Sequence, residues 1–185
     1  MWNKSDVFFV MFTPLLPPTL HRNNALALFI SSQFPLHSKG ITYHASVEWL
    51  DESRSEWRPV APMRVARTGP AVGMGFDGCV YVAGGSPNGS SSHRTAERYD
   101  PRSGTWDALP RMSIGRGYCS GTMGISGDFY VAGGITSGPS AMEIQAIEAF
   151  DIAAGKWRTV RASTSMNQPR ADHACVFVDF PETII

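Results

Sequence analysis

The chain has 185 residues, 43% of them hydrophobic, enough to bury one sizeable core, so a globular domain is the starting class. Lys plus Arg and Asp plus Glu number 16 each, and the resulting zero net charge gives no reason to expect a nucleic-acid or anionic-membrane partner. The 18 Gly and 13 Pro punctuate short runs rich in Val, Tyr and Phe, which is how a many-stranded β protein reads.

Residues 1–46 read as an unassigned leader. Its apolar stretch 7–16 is interrupted by Pro14 and closed by Pro17 and Pro18, too short to span a bilayer. As a secretory signal it has a weak basic region, carries Asp6 and lacks a small-x-small cleavage site, so a cytoplasmic chain is expected ahead of a secreted one. A second apolar patch, 25–30, shares no periodicity with the first, and the segment reads as disordered or as an irregular extension.

From residue 47 onward a period of about 50 residues sets in. Trp57, Trp106 and Trp157 are 49 and 51 residues apart, and Gly84-Gly85 in VYVAGG recurs 49 residues later as Gly133-Gly134 in FYVAGG. Arg67 and Arg116 keep the step of 49, with Arg170 following after 54. Glu48, Glu97 and Glu148 each stand nine residues before a Trp and open segments that end on Asp51, Asp100 and Asp151. Met63 and Met112 lie six residues after Trp57 and Trp106. Within the period, strands a to d are predicted at 70–74, 79–83, 96–100 and 105–108, then at 118–123, 128–132, 146–151 and 156–160.

This order of Arg, apolar strand, strand ending in Gly-Gly, aromatic-Asp pair and Trp resembles the kelch motif over residues 47–185. The resemblance implies an all-β, kelch-type β-propeller, each repeat forming one four-stranded antiparallel blade. On that reading the chain holds a c–d half-blade at 47–58, blades at 67–112 and 116–166, and the start of another at 167–185. That makes about two and a half blades where propellers close with about 4–8, so the chain reads as a fragment whose open strand edges can self-associate. Gly84, Gly85, Gly133, Gly134, Trp57, Trp106, Trp157, Asp100 and Asp151 are structural motif residues, the tryptophans packing blade on blade.

An antiparallel meander opens its d–a and b–c loops on one end, and the loops 86–95 and 135–145 are b–c loops long enough for recognition. The resemblance implies a protein-protein interaction module, since BTB-kelch and F-box-kelch proteins hold substrates for a cullin-type ubiquitin ligase and dock acidic peptides on arginines. By motif position Arg67, Arg116 and Arg170, with Tyr118 and the loop residues Ser91, Ser92, His93 and Arg94, form the candidate binding face. Forked guanidinium hydrogen bonds suit carboxylates, while the alternative role for these arginines is to brace a blade interface. No BTB or F-box segment is legible in residues 1–46.

No catalytic, cofactor or metal site is expected. The GxGxxG match at Gly73-Met74-Gly75-Phe76-Asp77-Gly78 precedes a strand rather than a helix, so it reads as an a–b turn. Cys79, Cys119 and Cys175 lie far apart and read as buried thiols, and the five histidines show no ligand spacing, with His173 expected in a strand a. Asn88-Gly89-Ser90 is a glycosylation sequon that matters only in a secreted chain, and otherwise ordinary turn chemistry. The alternatives to a binding module are a secreted propeller enzyme of the galactose-oxidase type, which needs Tyr and His copper ligands not found at matching positions, and a truncated product without function.

Overall fold

The computed structural model describes residues 7–12, 26–33, 42–51, 55–161 and 166–178. Among these, all regular structure is β, in three four-stranded antiparallel sheets whose strands neighbour one another in chain order. The first holds β1 (Val7–Phe12), β2 (Leu26–Gln33), β3 (Thr42–Asp51) and β4 (Glu56–Val60). The second holds β5 (Ala71–Met74), β6 (Val80–Ala83), β7 (Ala96–Asp100) and β8 (Thr105–Leu109). The third holds β9 (Ser120–Met123), β10 (Phe129–Ala132), β11 (Ile147–Asp151) and β12 (Lys156–Thr159). Each sheet is a propeller blade, and the expected strands of the second and third blades fall within one or two residues of those observed.

The leader departs from the sequence reading. Residues 7–12 and 26–33, left unassigned, are the two strands that turn the 47–58 half-blade into a full sheet: β1 pairs with β2, and β2 with β3. The runs VFFVMF and LALFISSQ are aromatic and β-branched, as strands require, but they lack the Arg and Gly-Gly that mark the period. Downstream, residues 167–185 are expected to begin a further blade with His173 in strand a; the described ones, 167–178, form no strand ladder, and 179–185 lie outside the described residues. The backbone at Asp172 still leans on the third blade, its N donating to Tyr118 O much as Cys119 N does to Gly69 O, though one motif position earlier. The residues two past each motif arginine share a left-handed backbone, with φ of 57° at Gly69, 54° at Tyr118 and 49° at Asp172.

The middle blade is buried on both faces, which explains why β6 reads as a continuous apolar run instead of an alternation. Val80 and Val82 point toward the first blade and pack with Val47, Met63, Tyr99 and Trp106. Cys79, Tyr81 and Ala83 point the other way and pack with Cys119, Phe129, Val131 and Phe150 of the third blade. Both Cys79 and Cys119 are buried free thiols, and burial pushes each thiol pKa up.

Two motif elements clip neighbouring blades together. The Trp106 indole N–H donates to Ala61 O and the Trp157 indole N–H to Pro110 O, both at 2.8 Å, so each tryptophan reaches back to the residue that leaves the preceding blade. Trp57, in the first blade, is 38% exposed where Trp106 is 7% exposed, and so departs from the buried role expected of it. Gly84 and Gly85 have φ of 69° and 87°. A Cβ on Gly84 would stand 2.5 Å from Arg116 O, and Gly85 N donates to that same carbonyl at 2.9 Å. Gly133 and Gly134 repeat this geometry against Arg170 O. The pair is glycine both for its backbone conformation and because the next blade's backbone lies against it.

Replacing Trp106 by Ala removes a buried aromatic and a satisfied indole hydrogen bond from the first seam. The expected loss is about 3–5 kcal/mol, read as a lower urea midpoint with a nearly unchanged slope.

Candidate functional site

The d–a and b–c loops do share one end. Thr68 and Ser86 exchange backbone hydrogen bonds, as do Gly117 and Ile135. The methionine after each strand d is tied to the start of strand c: Met63 N to Ala45 O, Met112 N to Arg94 O and Met166 N to Gln145 O. The b–c loops of successive blades also touch, since Ser92 N donates to Ser137 Oγ at 2.6 Å and Ser92 Oγ to Ile135 O at 2.8 Å.

Arg67 and Arg116 do not face a ligand. Both are fully buried. The Arg67 guanidinium donates to Gly84 O at 2.5 Å, to Thr95 O at 2.9 Å and to Glu97 Oε1 at 2.9 Å. Arg116 repeats the set with Gly133 O at 3.0 Å, Ala146 O at 2.8 Å and Glu148 Oε1 at 2.9 Å. The glutamates in turn accept from the d–a loop: Glu97 Oε2 from Arg64 N at 2.7 Å, Glu148 from Ser113 N, Ser113 Oγ and Ile114 N. Their assignment to the binding face is therefore corrected to the bracing role: each holds the d–a loop, the Gly-Gly strand end and strand c of one blade together. Burial pushes the Arg67 pKa down, opposed by the hydrogen bond and charge of Glu97, and an arginine there stays protonated. Arg67 and Arg116 each have a Glu 30 or 32 residues later at a fixed place before a Trp, a spacing that fits bracing but that only the fold turns into a contact.

The remaining candidates divide. Arg94 and Arg170 are exposed, as is Ser91, while Ser92, His93 and Tyr118 are half-buried. Arg94 keeps its rim position by donating from Nε to Met112 O at 2.8 Å. The His93 ring donates from Nε2 to Ala66 O at 3.1 Å. Burial, and then the charge of Arg67, push the His93 pKa below its ordinary value. Tyr118 packs on Gly69, where a Cβ would come within 2.8 Å of its ring. Sequence reasoning missed Arg64 and Arg111, exposed arginines of the d–a loops on this same end. They carry no repeat signature, which is why the periodicity passed over them.

The two ends of the blades differ in charge. On the d–a and b–c end, among the described residues, exposed Arg64, Arg94, Arg111 and Arg170 outnumber the exposed carboxylates of Glu143 and Asp172, while Glu97 and Glu148 form neutral buried pairs with Arg67 and Arg116. On the opposite end three of the aspartates are matched by bases: Arg158 with Asp128 at 2.6 Å, Arg102 with Asp100 at 2.8 Å and Arg98 with Asp77 at 3.7 Å, while Asp151 accepts from Ala154 N. Hydrogen bonds from the Arg102 side chain and backbone hold the Asp100 carboxyl well below the usual carboxylate range. A shallow cleft of about 250 Å³ opens there, lined by Phe76, Asp77, Asp128, Asp151 and Ile152 among others. The GxGxxG segment forms the turn beside it, with Gly75 N donating to Cys79 O and Gly78 N to Gly75 O, so it is a hairpin and not a phosphate loop. No group of three or more His, Cys, Asp or Glu able to hold a metal occurs among the described residues.

Substituting Glu148 by Ala leaves the Arg116 charge buried without its partner, and the expected cost is about 3–5 kcal/mol by chemical denaturation, far above an exposed pair. Because the folded state holds His93 below its ordinary pKa of 6.5, the unfolded chain binds the extra proton first as pH falls. Stability should thus be fully present above about pH 6.5 and decline below it. A His93→Asn variant whose denaturation midpoint keeps the same slope between pH 7 and pH 5 would rule His93 out as its source.

Comparison with known proteins follows this geometry. Residues 67–113, the second blade with its flanking loop, match the Kelch motif. Among solved structures, the fold is similar to a fungal alcohol oxidase of the AA5 family, solved in complex with copper, at 21% identity and a TM-score of 0.55, the match covering 74% of this chain. The chain spans only 28% of the length of that protein, and at this identity the likeness concerns the fold. No curated protein matches the sequence.

Proposed function

We propose that this kelch-repeat chain is a protein-binding module, not an enzyme, and that its d–a and b–c end receives an acidic segment of a partner. The observation that carries the reading is the surplus of exposed arginines there, Arg64, Arg94, Arg111 and Arg170, on a chain of zero net charge. Glu97 and Glu148 do not offset this surplus, because each is buried in a neutral pair with Arg67 or Arg116. Guanidinium forks held at a rim by a rigid scaffold suit carboxylates in pairs, and locally concentrated charge steers acidic partners even on a neutral protein. Ser91, Tyr118 and the half-buried His93 stand among them as uncharged contacts. Arg67 and Arg116 serve binding only by holding the loops. The finer form of this reading, implied by the kelch resemblance, is capture of a substrate for a cullin-type ubiquitin ligase in the cytoplasm.

The test is fluorescence anisotropy with a labelled peptide rich in Asp and Glu. Replacing Arg94 by Ala should weaken binding about tenfold, corresponding to about 1.4 kcal/mol, with the denaturation midpoint lowered only by the loss of one loop hydrogen bond, about 1 kcal/mol. The difference between wild type and variant should shrink as salt rises from about 0.05 M to 0.5 M, where the Debye length falls toward a few ångström. Binding that ignores both salt and the loss of Arg64, Arg94 and Arg170 together would remove the acidic-partner assignment. In a reconstituted cullin reaction, the same variant should slow ubiquitin transfer to a captured acidic substrate.

A further inference from the structure

The c–d turn of the second blade carries an arginine that the same turn of the third blade lacks. Arg102 folds back on Asp100, donating from Nε to Oδ1 and from Nη2 to Oδ2, both at 2.8 Å, and Nη2 reaches on to Cys79 Sγ at 3.6 Å. In the third blade Asp151 keeps the place of Asp100 and Ala153 takes that of Arg102, both 51 residues on, while Asp128 takes that of Cys79, 49 residues on. The shallow cleft of about 250 Å³ opens at this corner, between Asp128, Asp151, Ile152 and Ala153 of the third blade and Phe76 and Asp77 of the second. Phe76 is 74% exposed and overhangs the third blade, since a Cβ on Gly127 would stand 3.8 Å from its ring. The place that an arginine fills in one repeat is thus an open cleft in the next, with an aromatic ring at its mouth.

We infer that this cleft receives an arginine side chain of a partner protein, whose guanidinium takes on Asp151 the place that Arg102 takes on Asp100. Two of the three carboxylates at the cleft are already matched. Asp128 is paired with Arg158 at 2.6 Å, and Asp77 accepts from the Tyr81 hydroxyl at 2.8 Å with Arg98 at 3.7 Å. Asp151 accepts from Ala154 N at 2.8 Å, much as Asp100 accepts from Arg102 N at 2.9 Å, but has no ion pair among the described residues. Lys156, opposite Asp151 in the strand register, makes none with it either. A guanidinium offers a planar fork to a carboxylate and a flat face to an aromatic ring, and the cleft sets Asp151 and Phe76 to meet both. An ammonium has no fork, so lysine is the poorer occupant. The half-buried position of Asp151 screens the contact less than open surface would. The inference does not depend on the acidic-partner reading, because the cleft lies at the opposite end of the blades.

Amide chemical shifts of the full chain, followed as N-acetyl-arginine-N-methylamide is added, test it, with the citrulline and lysine analogues alongside. The arginine compound should move the amides of residues 76–78, 126–128 and 151–154 and saturate, while the uncharged citrulline analogue should bind about tenfold more weakly or not at all. Asp151→Asn should weaken the arginine compound about tenfold. Ala153 is exposed on its turn, so Ala153→Arg can rebuild the second blade's pair within the chain, and it should abolish binding while amides outside the cleft keep their shifts. Equal shifts from the arginine and citrulline compounds, shifts confined to the d–a and b–c end, or undiminished binding to the Ala153→Arg chain would each overturn the assignment. A lysine analogue bound as tightly as the arginine one would overturn the forked contact on Asp151.

Discussion

The buried Arg–Glu pair at the end of each repeat is the constraint on which the other features depend. Arg67 with Glu97 and Arg116 with Glu148 are ion pairs at 2.9 Å, their side chains 3% exposed or less. Taking two charges out of water costs about as much as their attraction returns, so the pair adds little net stability by itself. Its effect is on specificity of arrangement, since one guanidinium fixes the Gly-Gly carbonyl, the first residues of strand c and, through the glutamate, the d–a loop. A blade with that corner in place has its strand ends, and hence the seam to its neighbour, in a single register.

Fixing the corner has two consequences for the surface. Each glutamate is neutralised inside the blade by its own arginine, so it is not available to offset the rim arginines of the same end. The corner also sets the Gly-Gly pair against the next blade's backbone, so that Gly84 and Gly133 meet Arg116 O and Arg170 O in the same manner. The seam geometry is thus a product of one repeated contact.

Much of the fold was legible because the repeat writes each long-range contact as a fixed spacing. Trp106 and Trp157, the Gly-Gly pairs and the positions of β5 to β12 follow from the 49 and 51 residue steps alone. The first two strands were not legible, since 7–12 and 26–33 carry strand composition without any motif residue to give them a period. Of the candidate face, the loop direction was legible, since antiparallel topology puts the d–a and b–c loops together, while which arginines stand exposed there was not.

By itself, the sequence determined that this chain folds as a series of β blades, because period and turn chemistry are local properties that survive in one dimension. Only the tertiary structure decided which arginines are available. Whether a guanidinium at a blade corner points to solvent or inward depends on whether a carboxylate from strand c, 30 residues away, arrives within hydrogen-bond distance and desolvates it. Arg67 and Arg116 meet such a carboxylate and become scaffold, while Arg64 and Arg94, three residues from Arg67 and from Glu97 respectively, stay at the rim in water.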